Sequence, residues 1–136
     1  MKGKAFIDTN IFVYLYSEDN PNKRDLCIDY LDNHTCITST QAINELSNVF
    51  TKKYKLSATD VGNVISEIQQ SYEIKIIDID VIIRALKIHE VYGYSYYDCL
   101  MISSAILNNC EYFFSEDMQD GQKIDGLEIV NIFKRN

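Results

Sequence analysis

Strand-like and helix-like stretches take turns along this chain, and that alternation restricts its fold more than any other feature. Strand signals fall at Ala5-Phe6-Ile7, around Thr35-Cys36-Ile37, at Ile74-Lys75-Ile76-Ile77, at Tyr112-Phe113-Phe114 and at Glu128-Ile129-Val130-Asn131-Ile132. Between them apolar residues recur at helical spacing. One helix is expected over residues 22–31, and another after Thr38, carrying Ala42, Ile43, Leu46, Val49 and Phe50. A third opens at Ser57, with Asp60 three residues on as a capping box. A fourth covers residues 80–92 and stops at Gly93, and a fifth starts after Ser95. Strands that alternate with helices, without tight hairpin signals before the last two strands, call for crossover connections and a mostly parallel sheet covered on both faces. The expected fold is a three-layer α/β/α sandwich with about five strands, formed by residues 1–136 as a single domain.

At 136 residues such a domain buries a core without disulfides or structural metal. The four cysteines, Cys27, Cys36, Cys99 and Cys110, sit in apolar stretches without C-x-x-C spacing. They read as buried thiols in a reducing, cytoplasmic setting. His34 and His89 are too few and too isolated for a zinc site or a Ser/His/Asp triad. No apolar run approaches the ~20 residues that cross a bilayer, so no membrane association is expected. The net charge of −7 excludes general binding of nucleic acid through a basic surface. The compact basic group Lys52, Lys53 and Lys55 reads as a solvated helix end that complements the helix dipole.

Four acids stand where acids are out of place. Asp8 ends the first apolar strand run and precedes the apolar residues 11–15. In an open α/β sheet the carboxyl ends of strands are where ligands bind, although an Asp there also caps the next helix. Glu45 borders the apolar face of its helix, as a ligand or as an edge glutamate reaching water. Asp98 lies in a helix that is apolar nearly all round, flanked by Tyr97, Cys99, Leu100, Met101 and Ile102. A buried carboxylate there is costly unless paired or metal-bound; the other reading makes Ser95 the N-cap and Asp98 the N3 residue. Asp117 repeats the Asp8 pattern at the end of a second strand, within Ser115-Glu116-Asp117, and Asp120 follows one turn later. Converging carboxylates repel one another, and a hard divalent cation with oxygen ligands relieves that repulsion.

Taken in order, these motifs resemble the PIN-domain nucleases. The matching elements are a first strand ending Asp8-Thr9-Asn10, the pair Asn44-Glu45 on a helix, the buried segment Y-D-C-L-M-I-S-S-A over residues 97–105, and Ser115-Glu116-Asp117 after an aromatic strand. The resemblance implies that Asp8, Glu45, Asp98 and Asp117 form a catalytic metal site for Mg²⁺ or Mn²⁺, one ion or two. It places Thr9, Asn10 and Ser115 in support, and we add Asp120 to that supporting group. The implied activity is hydrolysis of RNA phosphodiester bonds by a two-metal mechanism, leaving 5′-phosphate ends. A stand-alone domain of this size is similar to the VapC-type toxins, which work as dimers and are held inactive by a small antitoxin. The implied partners are therefore RNA, a second copy of the chain and an antitoxin protein.

Two other readings compete. Asp78 and Asp80 after the third strand suggest a phosphoacceptor receiver domain, but the first strand carries a single acid, no Lys follows the fifth, and Asp98 is left unexplained. A PIN fold kept only as a binding module is at odds with the intact acid set. One further expectation concerns residues 11–16, which are apolar over roughly a turn and a half of helix. They cannot all face one sheet, so some of Phe12, Tyr14 and Tyr16 should be exposed or covered by another chain.

Overall fold

The computed structural model describes residues 3–135. Its elements run β1 (Lys4–Ile7), α1 (Thr9–Tyr16), α2 (Pro21–Asp32), β2 (Thr35–Ser39), α3 (Thr40–Lys52), α4 (Ala58–Ser71), β3 (Glu73–Lys75), α5 (Ile79–Tyr92), α6 (Tyr96–Leu107), β4 (Tyr112–Phe114), β5 (Lys123–Ile124) and β6 (Leu127–Val130), followed by a 3-10 turn at Ile132–Lys134. The strands form one sheet in the order β3-β2-β1-β4-β6-β5. All neighbours are parallel except β5 and β6.

Side-chain alternation along the strands divides the core into two. Ala5 and Ile7 join Ile11, Phe12, Leu46 and Phe50 on one side of the sheet, while Phe6 joins Ala85, Met101, Ile102 and Phe113 on the other. Helices α1 to α4 thus cover one face, and α5 with α6 covers the other. This is the expected sandwich. Helix α6 is buried from Cys99 through Ala105, which explains its lack of a polar face.

Helix ends follow their sequence signals. Ser57 accepts a hydrogen bond from the Asp60 amide, and α5 ends on Gly93 at φ 77°, a left-handed position that glycine takes without steric cost. The sheet departs from expectation by one strand, since β5 makes six. Its two residues are too few to show a strand pattern; the usable signal was Asp125-Gly126, whose φ values of 49° and 86° suit the tight turn into β6. Strand β3 is shorter than its apolar run, ending at Lys75 and leaving Ile76 77% exposed. The last strand also stops early, because Asn131 caps the 3-10 turn through Phe133 N–H. Of the aromatic residues in α1, Tyr16 is exposed and Tyr14 half-buried, so some of the three do face outward as expected, while Phe12 is fully buried because α2, α3 and α4 wrap the same sheet face. Among the described residues no helix is long and apolar enough to cross a membrane.

What matters for function is the break in direction. From β1 the chain steps outward to β2 and β3, then returns to place β4 on the other side of β1. Connections leaving in opposite directions open a crevice beyond the carboxyl ends of β1 and β4. The register there is fixed by Phe6 opposite Phe113, whose rings stack with centroids 5.2 Å apart. Continued outward, that register sets Asp8 beside Ser115.

Candidate active site

Asp8 leaves β1 through a backbone bond from its own N–H to Phe114 O (3.1 Å) and becomes the N-cap of α1. Its carboxylate takes a donor on each oxygen: Thr9 N–H on Oδ1 at 2.6 Å and the Ser115 hydroxyl on Oδ2 at 2.9 Å. The capping role and a role in a site are therefore compatible. Thr9 donates its hydroxyl to Ala42 O at 3.3 Å, tying the start of α1 to α3. Ser115, fully buried at the tip of β4, also accepts the Asp117 N–H at 3.3 Å. One hydroxyl thus links the two strand-tip acids. Asn10 completes the link by donating to Asp117 Oδ2 at 2.9 Å.

The two helix-borne acids arrive from opposite sides. Glu45 is half-buried on α3 and accepts Gln41 Nε2–H on Oε2 at 3.1 Å. Asp98 is half-buried in the first turn of α6, with its amide donating to Ser95 Oγ at 3.2 Å. The capping geometry expected of Ser95 is present, and it leaves the Asp98 side chain directed at the crevice. Asp8, Glu45, Asp98 and Asp117 all line one cleft of about 180 Å³, floored by Thr9 and Asn10 and walled by Val13, Val49 and Met118.

Burial and mutual repulsion govern the charge of this cleft. Asp8 is only 6% exposed, and desolvation pushes its pKa up to about 7, against the pull of the Ser115 and Thr9 donors and with added repulsion from Asp98 and Glu45. Glu45 is raised first by burial and then by Asp98, with Gln41 opposing. Asp98 is raised by burial and by Asp117, opposed by Ser95. Among the described residues none of the four carboxylates pairs with a Lys, Arg or His.

This donor set fits a hard, oxygen-preferring cation. A second sign is the Asn10 side-chain oxygen, a buried acceptor in the same cleft that has no hydrogen-bond partner. Buried polar atoms are nearly always paired, so an orphan here points to a missing cationic or donor group. Among the described residues no three ligand-type side chains stand close enough to hold an ion as they are. The two observations are consistent, because like charges without a cation between them stay apart. The shared cleft carries the reading, since it gathers four carboxylates whose burial and mutual repulsion a cation would offset.

Asp120 is placed elsewhere: it accepts Asn131 N–H at 2.8 Å and pairs with Arg135 at 3.1 Å, outside the cleft. Glu116, between the two residues of interest at the β4 tip, also turns away. It pairs with Lys23 and accepts the Tyr14 hydroxyl at 2.6 Å. Nothing in the spacing of the sequence announces that Lys23 reaches over α1 to this loop. Gln41 was equally out of sight, although its place four residues before Glu45 on a helix is a usable signal.

A family model, the PIN domain, matches residues 5–123. The chain belongs to the PIN-domain family. No curated protein matches it in sequence. Solved structures do resemble this PIN domain in fold. A toxin–antitoxin complex from Klebsiella pneumoniae contains a chain 22% identical, with TM-score 0.70, covering 90% of this chain and 94% of that one. VapBC2 from Rickettsia felis, bound to a DNA fragment from its promoter, gives 17% identity and TM-score 0.67 over 93% and 96%. The Mycobacterium tuberculosis toxin VapC20, described as cleaving the sarcin–ricin loop, gives 12% and 0.68 over 83% and 91%. Similarity at these identities is similarity of fold.

Proposed function

We propose that this PIN domain is a metal-dependent endoribonuclease and the toxin of a toxin–antitoxin pair. The observation that carries the reading is the set of four carboxylates, unpaired with any cation among the described residues, that line one cleft at the switch point of the sheet. Family membership supports nuclease chemistry, and the toxins among the similar structures support the biological role. Asp8, Asp98 and Asp117 would hold Mg²⁺ or Mn²⁺, in one or two positions. When bound, such an ion supplies Lewis-acid activation of water and stabilises charge at the phosphoryl group.

The protein's own groups set the rest of the chemistry. Thr9 N–H and the Ser115 hydroxyl fix both oxygens of Asp8, so its carboxylate does not reorganise during the reaction. Asn10 holds Asp117 in the same way. Gln41 occupies Glu45 Oε2, which leaves Oε1 to serve as a further ligand or to orient an attacking water. Val13, Val49 and Met118 keep the cleft dry on its apolar side. A second copy of the chain and an antitoxin are part of the same proposal. The exposed residues Ile79, Ile83 and Leu86, spaced along one stripe of α5, offer an apolar face for a partner.

Purified protein should cleave single-stranded RNA with Mn²⁺ or Mg²⁺ and fall silent with EDTA. Asp8→Asn should abolish cleavage without unfolding the protein. Wild-type activity in that variant, once contaminating nuclease is excluded, would contradict the assigned site.

A further inference from the structure

Beside the acid cleft lies a larger groove of about 480 Å³, and it shares Glu45 and Val49 with that cleft. Its other lining residues are Gln41, Asn44, Asn48 and Tyr97. Five of these six, Glu45 included, lie on α3: positions 41, 44, 45, 48 and 49 follow the spacing that puts side chains on one face of a helix. Tyr97 faces them from α6, where it immediately precedes Asp98, and it is 60% exposed.

The chemistry of this groove is specific. Three carboxamides line it, with no Lys, Arg or His among them. Each amide carries both donors and an acceptor, and the side-chain amides of Asn44 and Asn48, both exposed, make no hydrogen bond among the described residues. An exposed tyrosine ring opposite neutral amides is a poor seat for a phosphate. It is a good one for a nucleobase, which stacks on an aromatic face and offers mixed donors and acceptors at its edge. The overall charge points the same way. A chain with net charge −7 gains little affinity from phosphates, so its hold on RNA must come from bases and from cations at the acid site.

We infer that the groove between α3 and α6 is a nucleobase subsite, in which Tyr97 stacks one unpaired base of the RNA next to the cleaved bond while Asn44 and Asn48 contact its edge. The inference rests on the nuclease reading for its substrate class. It makes Tyr97 and the two asparagines binding residues that set which nucleotide lies beside the acids.

The test is binding of a fluorescently labelled single-stranded RNA by anisotropy, in Ca²⁺, with wild type, Tyr97→Ala, Tyr97→Phe and the double variant Asn44→Ala/Asn48→Ala. Circular dichroism establishes that each variant is folded. Tyr97→Ala should weaken binding about tenfold, in the range of base–aromatic stacking, and Tyr97→Phe should restore it. The asparagine variant should change the preference among RNAs that differ in one base. An RNA with abasic sites should bind wild type as weakly as ordinary RNA binds Tyr97→Ala. Equal binding by wild type and Tyr97→Ala, or abasic RNA binding as well as intact RNA, overturns the subsite and leaves the groove to a protein partner. Hydrolysis of bis(p-nitrophenyl) phosphate with Mn²⁺, compared between wild type and Asp8→Asn, reports separately on the nuclease reading.

Discussion

Two groups of acids lie near β4, and their surroundings could hardly differ more. Glu116, Asp120 and Glu128 are each matched to a cation: Lys23 for the first and Arg135 for the other two. Asp8, Glu45, Asp98 and Asp117 have none among the described residues. Glu116 and Asp117 are consecutive, so the boundary between the groups falls within one dipeptide. The contrast separates two uses of a carboxylate. In the outer group every acid touches a cation, and these pairs fasten the β4–β5 loop and the C-terminal turn to the body. In the inner group Asp8 is buried and Glu45 and Asp98 are half-buried with no cation beside them, an arrangement that costs stability and is sustained in proteins chiefly where a ligand will offset it.

Stability against pH should break or sharpen this comparison most strongly. In the unfolded chain Asp8 releases its proton near the ordinary ~3.9, whereas in the fold it keeps it up to about 7. Between those values the native state binds more protons, so metal-free protein loses stability as pH rises from about 4 to 7. The Asp8 contribution is on the order of 4 kcal/mol over that window. Asp120 has the opposite sign. The Asn131 amide and Arg135 lower its pKa, so its contribution disappears as pH falls through the folded value. Urea unfolding in EDTA at pH 5 and pH 8 should show Asp8→Asn gaining on wild type at the higher pH. A constant difference between the two proteins would mean that the buried carboxylate is not strained as described.

A smaller effect is expected from the neighbouring pair. Asp117→Asn should lower RNA cleavage by about a hundredfold or more, since loss of a ligand costs at least as much as loss of a group that orients one. Glu116→Gln loses only the Lys23 pair and should cost a few-fold at most in cleavage, together with about 1 kcal/mol or less in stability. Equal losses of activity in the two variants would erase the boundary drawn between them. Smaller still is the stability change for Asp98→Asn. Because burial, with added repulsion from Asp117, raises the Asp98 pKa, the metal-free variant should match or slightly exceed wild type in Tm. A clear drop would show that Asp98 serves α6 as a structural residue first.

Much of this organisation was readable from residues. Asp8 and Asp98 stand out in the sequence because their carboxylates interrupt apolar runs, and interruption is visible without a structure. The layering followed from strands alternating with helices of known period. What stayed hidden depends on contacts across space. Strand β5 is too short to carry a pattern, and Phe12 is buried because four helices share a face, which no local window reveals. Asp120 belongs by spacing with Asp117, yet Arg135 and the Asn131 amide take it away. Only folding brings those groups together. The same holds for the groove under Tyr97, formed by residues more than forty positions apart in the chain.

The central claim is that the inner acids await a divalent cation and the outer ones do not. Calorimetric titration of Mn²⁺ into metal-free protein at pH 7, paired with Tm measured at the same metal concentrations, tests it directly. Wild type should bind saturably and gain Tm, Asp8→Asn should lose both responses, and Glu128→Gln should keep both. Binding and Tm gain that survive Asp8→Asn unchanged, or that vanish in Glu128→Gln, would contradict the account.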